Sequence, residues 1–411
     1  MTLPTAPDLL AFSHLRWGPA VDRPQQLMGL LAGAWRVWFV EEPVWTAGPA
    51  RLEALSLGPH LTVLVPHTPL PAAGFDAQQL ALIRPLLRSW LSRHRVRDPV
   101  AWLSTPMALP WAQAVSPACI VYDCMDDLAG RPQAPASMPQ LEAALLAEAA
   151  IVFAGGPSLY QALRHLHPNV HCVPGSVDVA HFSPSRLQPG SAHEQVAAAL
   201  QGELRRPRLG CLDAVDERLD LDLLVQLADA RPSWPIVMAG PIETHRARAL
   251  PARPNLHWLG PQPYERLPYL LAGWDLCLMP YAVGGSTRLL SPGTTLQYMA
   301  AERPVISTAI ADVIMLHGGE VVVADSAWSF ITACDRLLAE DASRRFARQR
   351  EMLNTVSTTS WQRTAASVHH LVSAAHLAAL RGRELRNLRP TAPARLTARP
   401  VSAGVRTAVW T

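Results

Sequence analysis

Ser291-Pro292 opens directly into a helix-like run that carries Thr294, Thr295 and Gln297. A proline in the first helical turn presets the backbone and leaves the first N–H groups pointing outward, which suits a diphosphate. An ordinary capped helix has the same spacing, so both readings stand. Arg288, three residues ahead of Ser291, offers either a forked phosphate clamp or a solvated surface charge. Arg218, at the end of LGCLDAVDER, is a second phosphate candidate, with a helix-surface arginine as its alternative. Gly240-Pro241 closes a further apolar run, where a missing side chain admits a ligand to the backbone or simply makes a turn. In the N-terminal half, His14, Arg16 and Trp17 follow one apolar run, and Asp123, Asp126 and Asp127 follow another. His14, Asp123 and Asp126 are the candidate proton-handling groups. Helix capping by Asp126 and Asp127, and a purely structural His14, are the competing explanations.

These groups need a scaffold that gathers loop residues at one edge. Short apolar runs at 9–13, 36–40, 61–65, 100–104, 119–122, 151–154 and 170–173 alternate with helical stretches at 23–33, 138–149 and 157–166. That is the rhythm of a parallel sheet covered on both faces. Residues 183–208 then turn rich in Pro, Gly, Ser and Arg, and the rhythm restarts at 209–212, 236–239, 256–259, 276–279, 305–307 and 321–323. Two consecutive doubly wound α/β units follow, with ligands expected in the crevice at the strands' carboxyl ends. We therefore divide the chain into a first domain at 1–185, a linker at 186–207 and a second domain at 208–360. After Trp361, the residues Val368, Leu371, Val372, Ala375 and Ala378 make one apolar helical stripe within 361–388, and 389–411 reads as a disordered tail.

Composition narrows the chemistry. A chain of 411 residues is too long for one ordinary core. All 36 basic residues are arginine, so a Schiff-base lysine and a Walker-type phosphate lysine are excluded. A net charge of +3 gives no footprint for nucleic acid. Six cysteines (Cys119, Cys124, Cys172, Cys211, Cys277, Cys334) without a close pair point to reduced thiols in the cytoplasm and to no zinc site. The N-terminus shows no secretory leader pattern, and no apolar run is long enough to span a bilayer.

Three segments in order carry a family resemblance: FSHLRWGPAVDRPQQLM (12–28) with FVEEP (39–43); VYDCMDDLAG (121–130); and NLHWLGPQPYERLPYLLAGWDLCLMPY (255–281) running on to STRLLSPGTTLQYMAAERPVIST (286–308). Together they resemble the retaining glycosyltransferases of the GT-B fold, the group that includes sucrose synthase and bacterial polysaccharide enzymes. The branch beginning with SHLRW and RPQ is the most similar. The resemblance implies two Rossmann-like domains facing a central cleft, an acceptor-side N-terminal domain and a nucleotide-sugar C-terminal domain. It also implies a final helix that crosses back onto the first domain, and neither a metal nor another cofactor. By that analogy the donor, a nucleotide diphosphate sugar, is held by Arg218, Gly240, Arg288, Ser291, Thr294, Thr295 and Gln297. The acceptor side falls to Arg16, Trp17, Arg23 and Gln25, with His14, Asp123 and Asp126 as catalytic candidates. A glycan, lipid-linked or small-molecule acceptor follows, with a cytoplasmic location and peripheral contact with the inner membrane face through the arginine-bearing stretch 85–97.

The chain departs from that branch inside the donor site. The phosphate-contacting lysine is Thr294, the ribose-binding glutamate is Gln297, and the glycine of the second domain's first turn is Asp213. The customary NGVD is Gly175-Ser176-Val177-Asp178. Loss of one charged contact to the leaving group costs about 3 kcal/mol by analogy with oxyanion-hole deletions. A weakly active or inactive relative serving as a binding or scaffold partner in polysaccharide synthesis is therefore the alternative reading.

Overall fold

The computed structural model describes residues 6–18, 21–244, 246–247 and 250–387. The tail expected to be disordered, 389–411, lies outside them. The first sheet has nine strands: β1 (Asp8–Ser13), β2 (Arg36–Glu41), β3 (Val44–Trp45), β4 (Arg51–Gly58), β5 (Leu61–Thr68), β6 (Val100–Leu103), β7 (Cys119–Cys124), β8 (Ile151–Ala154) and β9 (Val170–Cys172). They run in the order β3-β5-β2-β1-β6-β7-β8-β9, all parallel, with β4 added antiparallel on β5. The second sheet has six parallel strands: β10 (Leu209–Leu212), β11 (Ile236–Ala239), β12 (Leu256–Gly260), β13 (Leu276–Met279), β14 (Val305–Thr308) and β15 (Val322–Ala324). Its order, β12-β11-β10-β13-β14-β15, reverses direction between β10 and β13, which opens a crevice at that point.

The central strands are short and wholly apolar because helices cover both faces. Every residue of β6, β8, β10, β11 and β13 is buried. Strand β4 escaped the sequence reading. Its RLEALSLG pattern is mostly exposed on both faces, and it is held by its antiparallel ladder to β5 rather than by burial.

The last helix, Trp361–Asn387, leaves the second unit and lies against the first sheet. Val368 and Val372 are fully buried in the core formed by Leu27, Met28, Leu31 and Trp35. The Trp35 indole donates to His369 Nδ1 at 2.8 Å, and His376 Nε2 meets the Asp98 carbonyl at 2.8 Å. Ser176 and Thr364 share a hydrogen bond of 2.7 Å where the chain crosses back.

Two more contacts join the units. Asp312, 1% exposed, accepts from the Ser158 backbone N–H at 2.9 Å and from the Ser158 hydroxyl, at the start of helix Pro157–Leu163 in the first unit. Gly156 makes that approach possible, since a Cβ there would lie 2.1 Å from Asp312 Oδ2 and 2.5 Å from Ser291 Cβ. Arg218 reaches across to Asp126 at 3.2 Å.

Candidate functional site

Between the carboxyl edges of the two sheets lies a cleft of about 640 Å³. Its first-unit wall comes from the loop after β1, the start of helix Arg23–Leu31 and the loop after β7; its second-unit wall comes from the turns after β10 and β11 and the segment 291–297. The strand order brings these loops together, as the sequence pattern requires.

On the second-unit wall, Ser291, Thr294, Gln297 and Gly240 all line the cleft. Thr295 does not. It is fully buried, with its hydroxyl donating to the Pro292 carbonyl at 3.0 Å, so it closes the first turn of helix Thr294–Ala300. Arg288 is exposed and absent from the cleft lining. Gly240 is a packing requirement: a Cβ there would lie 1.9 Å from the Asp213 carbonyl oxygen, so β11 and the turn after β10 can touch only at a glycine.

Arg218 lines the cleft but is engaged. Its guanidinium pairs with the buried Asp216 at 2.5 Å and with Asp126 of the other unit at 3.2 Å. Burial alone would lower its pKa, but the Asp216 hydrogen bond and the Asp213 and Asp126 charges outweigh it and raise the pKa further. Asp213 lines the cleft too; its carboxyl accepts from its neighbour's Ala214 N–H at 2.8 Å and hydrogen-bonds the Tyr281 hydroxyl. Burial pushes its pKa up, against the pull of Arg218 and Tyr281.

The first-unit wall corrects several sequence expectations. Asp123 is fully buried and meets Arg23 Nη2 at 2.9 Å; Arg23 also donates to the Val173 carbonyl at 2.6 Å. The pair is a strut tying β7 to the helix and the end of β9, so Asp123 faces no ligand. Gln25 is spent on backbone, donating to the Arg16 carbonyl at 2.7 Å and accepting from Asp22 N–H at 3.1 Å. Arg16 pairs with Glu41 at 2.9 Å, the Trp17 N–H donates to the same carboxylate at 2.6 Å, and the Trp17 ring packs edge-on against Phe39. Neither Arg16 nor Trp17 lines the cleft. Asp126 does, bridging Arg131 at 2.5 Å and Arg218.

His14 is different. Burial, assisted by the Arg131 charge, lowers its pKa to about 4, so the ring is neutral at ordinary pH. Its buried Nδ1 has no hydrogen-bond partner. A neutral imidazole with a free Nδ1 at the cleft wall accepts a hydrogen bond; it is a weak base.

Sequence reasoning missed Asp22, Arg131 and Tyr281. Asp22 lines the cleft, with its pKa raised first by burial and then by Asp213 across the gap. Its position just ahead of a Pro-containing helix was the available signal. Asp216, Glu217 and Glu243 gather behind Arg218, but Asp216 is already neutralised there. The described cysteines are all unpaired.

Residues 212–340 match the family model "Glycosyl transferases group 1", so the second unit is a group 1 glycosyltransferase domain. TuaH of Bacillus subtilis (strain 168), provisionally assigned as a teichuronic acid biosynthesis glycosyltransferase, is 25% identical over 198 residues. That match spans 47% of this chain and 48%, about half, of TuaH. Among solved structures, sucrose-phosphate synthase from Thermosynechococcus elongatus superposes with a TM-score of 0.69 at 15% identity, over 90% of this chain and 100% of its own. HepE from Anabaena, solved with UDP and glucose, gives 0.65 at 14% identity, over 89% of this chain and 99% of its own. At these identities the likeness is one of fold: two parallel-sheet α/β domains in the GT-B arrangement.

Proposed function

We propose that this chain transfers a sugar from a nucleotide diphosphate sugar to a glycan, lipid-linked or small-molecule acceptor, with retention at the anomeric carbon and without a metal. The observation that carries the reading is the cleft itself. A group 1 domain presents Ser291, Thr294, Gln297 and Arg218 on one wall, and the neutral His14 stands on the other. The leaving nucleotide diphosphate gains negative charge as the glycosidic bond breaks, and fixed donors must meet it. Arg218 supplies the charge after exchanging Asp126 for a phosphate oxygen, and the Thr294 and Gln297 side chains supply hydrogen bonds. Asp123 is spent in the strut with Arg23 and is not available to attack the sugar. That suits a front-face reaction, in which the donor phosphate takes the acceptor's proton.

The names of the relatives guide the choice of substrates. TuaH points to a polysaccharide acceptor and the UDP complexes of HepE to a uridine donor. Work on a lipid-linked acceptor at the inner face of the membrane suits helix Ala77–Arg93, which exposes Arg84, Arg88 and Arg93. No helix among the described residues is long and apolar enough to cross a membrane. The test is calorimetry with UDP-, GDP-, ADP- and dTDP-sugars. Binding of one of them is expected, followed by product of retained configuration by NMR and turnover unchanged by EDTA. No heat with any donor sinks the reading.

A specific observation favours the second reading, a binding or scaffold partner. Arg218 is held by two carboxylates and Arg288 lies away from the cleft. Slow donor hydrolysis that Arg218→Ala abolishes would rule it out.

A further inference from the structure

The edge strands of both sheets are short, with one exception. β3 has two residues, β9 and β15 three each and β12 five, whereas β4 has eight. An exposed edge of that length is a template for another strand unless charge, proline or a covering element blocks it. β4 holds no proline, and its charges are drawn aside: Arg51 donates to the Thr46 hydroxyl at 3.0 Å and Glu53 meets His67 of β5 at 3.0 Å.

The backbone shows which groups of β4 are unused. The His60 carbonyl, just ahead of β5, accepts from Val37 N–H at 2.8 Å, and the Thr68 carbonyl at its end accepts from Thr46 N–H at 2.8 Å. Backbone groups alternate sides along a strand, so the even-numbered residues of β5 face β2 and β3 and the odd-numbered ones face β4. His67, Val65 and Val63 lie opposite Arg51, Glu53 and Leu55, and these pairs hold the ladder. Leu52, Ala54 and Ser56 therefore turn their N–H and C=O groups away from the sheet. Among the described residues these groups have no backbone partner.

Apolar side chains flank this row on both faces. On one face Leu55 and Leu57 are 55% and 42% exposed. The other face is covered by helix Ala77–Arg93, which lies over β4 and β5. Arg88 of that helix donates to the Ala114 carbonyl at 3.0 Å, on the side of the sheet's centre. By helical spacing Leu82 and Leu86 fall on the opposite flank, toward the free edge, and Leu82 is 38% exposed.

We infer that β4 pairs antiparallel with β4 of a second copy of this chain, about a two-fold axis through Ala54, joining the first sheets of the two copies. What selects a second copy is that each row matches itself under that axis. Ala54 exchanges both its bonds with Ala54 of the other copy, and Leu52 does so with Ser56. Glu53 comes opposite Leu55 and Arg51 opposite Leu57, so no like charges meet; an axis through Glu53 would instead set carboxylate against carboxylate. Strand spacing places the two copies of helix Ala77–Arg93 about 10 Å apart, the distance of packed helices, with the Leu82 and Leu86 flanks facing each other and Arg84 and Arg88 turned away. A two-fold contact also closes on itself, so the edge is used up without growing a fibre.

Sedimentation velocity of the full chain at micromolar concentrations is the test, and a dimer is expected. Ala54→Pro removes an N–H that points out of the sheet and leaves the ladder to β5 whole. It deletes two bonds at the axis and should raise the dimer dissociation constant about 30-fold, with circular dichroism unchanged. Leu55→Glu sets carboxylates against Glu53 of the other copy and should weaken the dimer similarly, which covers failure of the proline variant to fold. Adding Glu53→Lys to Leu55→Glu makes two opposite-charge pairs and should tighten association about tenfold over Leu55→Glu alone. A monomeric wild type overturns the inference; if that monomer sediments with anionic vesicles, the leucines serve a lipid surface instead. A dimer indifferent to Ala54→Pro and Leu55→Glu, or one that the second charge does not rescue, overturns the pairing about Ala54.

Discussion

The two walls of the cleft use the same residue types in opposite ways. On and behind the first-unit wall the charges are consumed internally: Arg23 by Asp123 at the wall and Arg16 by Glu41 behind it, with the Gln25 amide given to backbone. Among the described residues, His14 and Arg131 bring unpartnered buried nitrogens, Nδ1 and Nε, to that wall. On the second-unit wall Ser291, Thr294 and Gln297 end at the cleft, and Arg218 is paired but within reach of it. The difference lies in the second partner, because Arg218 is anchored on the buried Asp216 and still holds a second, partly exposed carboxylate in Asp126. An arginine facing a carboxylate with no exposed surface is locked, because separating them strands a charge in low dielectric. An arginine whose second carboxylate belongs to the opposite domain can exchange it for a ligand.

The sharpest way to break this contrast is at Asp123. Asp123→Ala leaves the Arg23 guanidinium, only 10% exposed, without its partner, and a loss of about 3–5 kcal/mol in unfolding free energy is expected. Replacing both, as Arg23→Met with Asp123→Leu, should recover much of that in denaturant melts. If Asp123→Ala keeps wild-type stability but loses donor or acceptor binding, the strut is a ligand site and the contrast collapses. Next in size is Arg218→Ala, expected to weaken nucleotide-sugar binding by a factor of 100 or more, about 3 kcal/mol. Arg218→Lys should be intermediate, since it keeps the charge and loses the fork. Wild-type affinity in both would transfer the phosphate contact elsewhere in the cleft.

Glu42 supplies a pH test on the first-unit side. Burial raises its carboxyl to about 7, and Arg16 pulls it back only partly. An acid raised in the fold contributes stability that is full below its unfolded value near 4.5 and is lost as pH climbs through 7. Glu42→Gln should therefore raise stability at pH 8.5 by roughly 2–3 kcal/mol and change little at pH 5. Thermal melts at the two pH values check this; an equal shift at both would mean the carboxylate is solvated or paired.

The alternation of apolar runs and helices was enough to reveal both sheets, since buried parallel strands such as β8 and β13 are continuous apolar stretches that nothing else explains. Edge strand β4 was illegible because exposed alternation carries no burial signal. Site membership was legible where a motif stands at a strand's carboxyl end, as with Ser291, Thr294 and Gln297. It failed at Asp123 and Arg288 for opposite reasons. Asp123 occupies the right strand end but points inward, a distinction a single side-chain partner 100 residues away decides. Arg288 has suitable spacing, yet the turn before it at Gly284 and Gly285, both at positive φ, carries it outside. Long-range pairing and turn geometry are the parts of the site that local pattern does not encode.

His14 carries the smallest expected effect and separates two roles on the first-unit wall. A catalytic base there would contribute on the order of 100-fold or more to turnover, and its loss would fall on kcat. A neutral acceptor that holds one substrate hydroxyl is worth about 1 kcal/mol, and its loss falls on KM. Burial holds the His14 ring neutral down to about pH 4, where proton abstraction is poorly driven, so the acceptor role is the one the geometry supports. His14→Phe keeps a planar ring and removes the nitrogen. It should raise KM about fivefold, leave kcat within a factor of about three, and leave the pH profile between 5 and 9 superimposable on wild type. A collapse of kcat with a new acidic limb would instead make His14 the proton acceptor, and would place the reaction's chemistry on the wall that otherwise serves as scaffold.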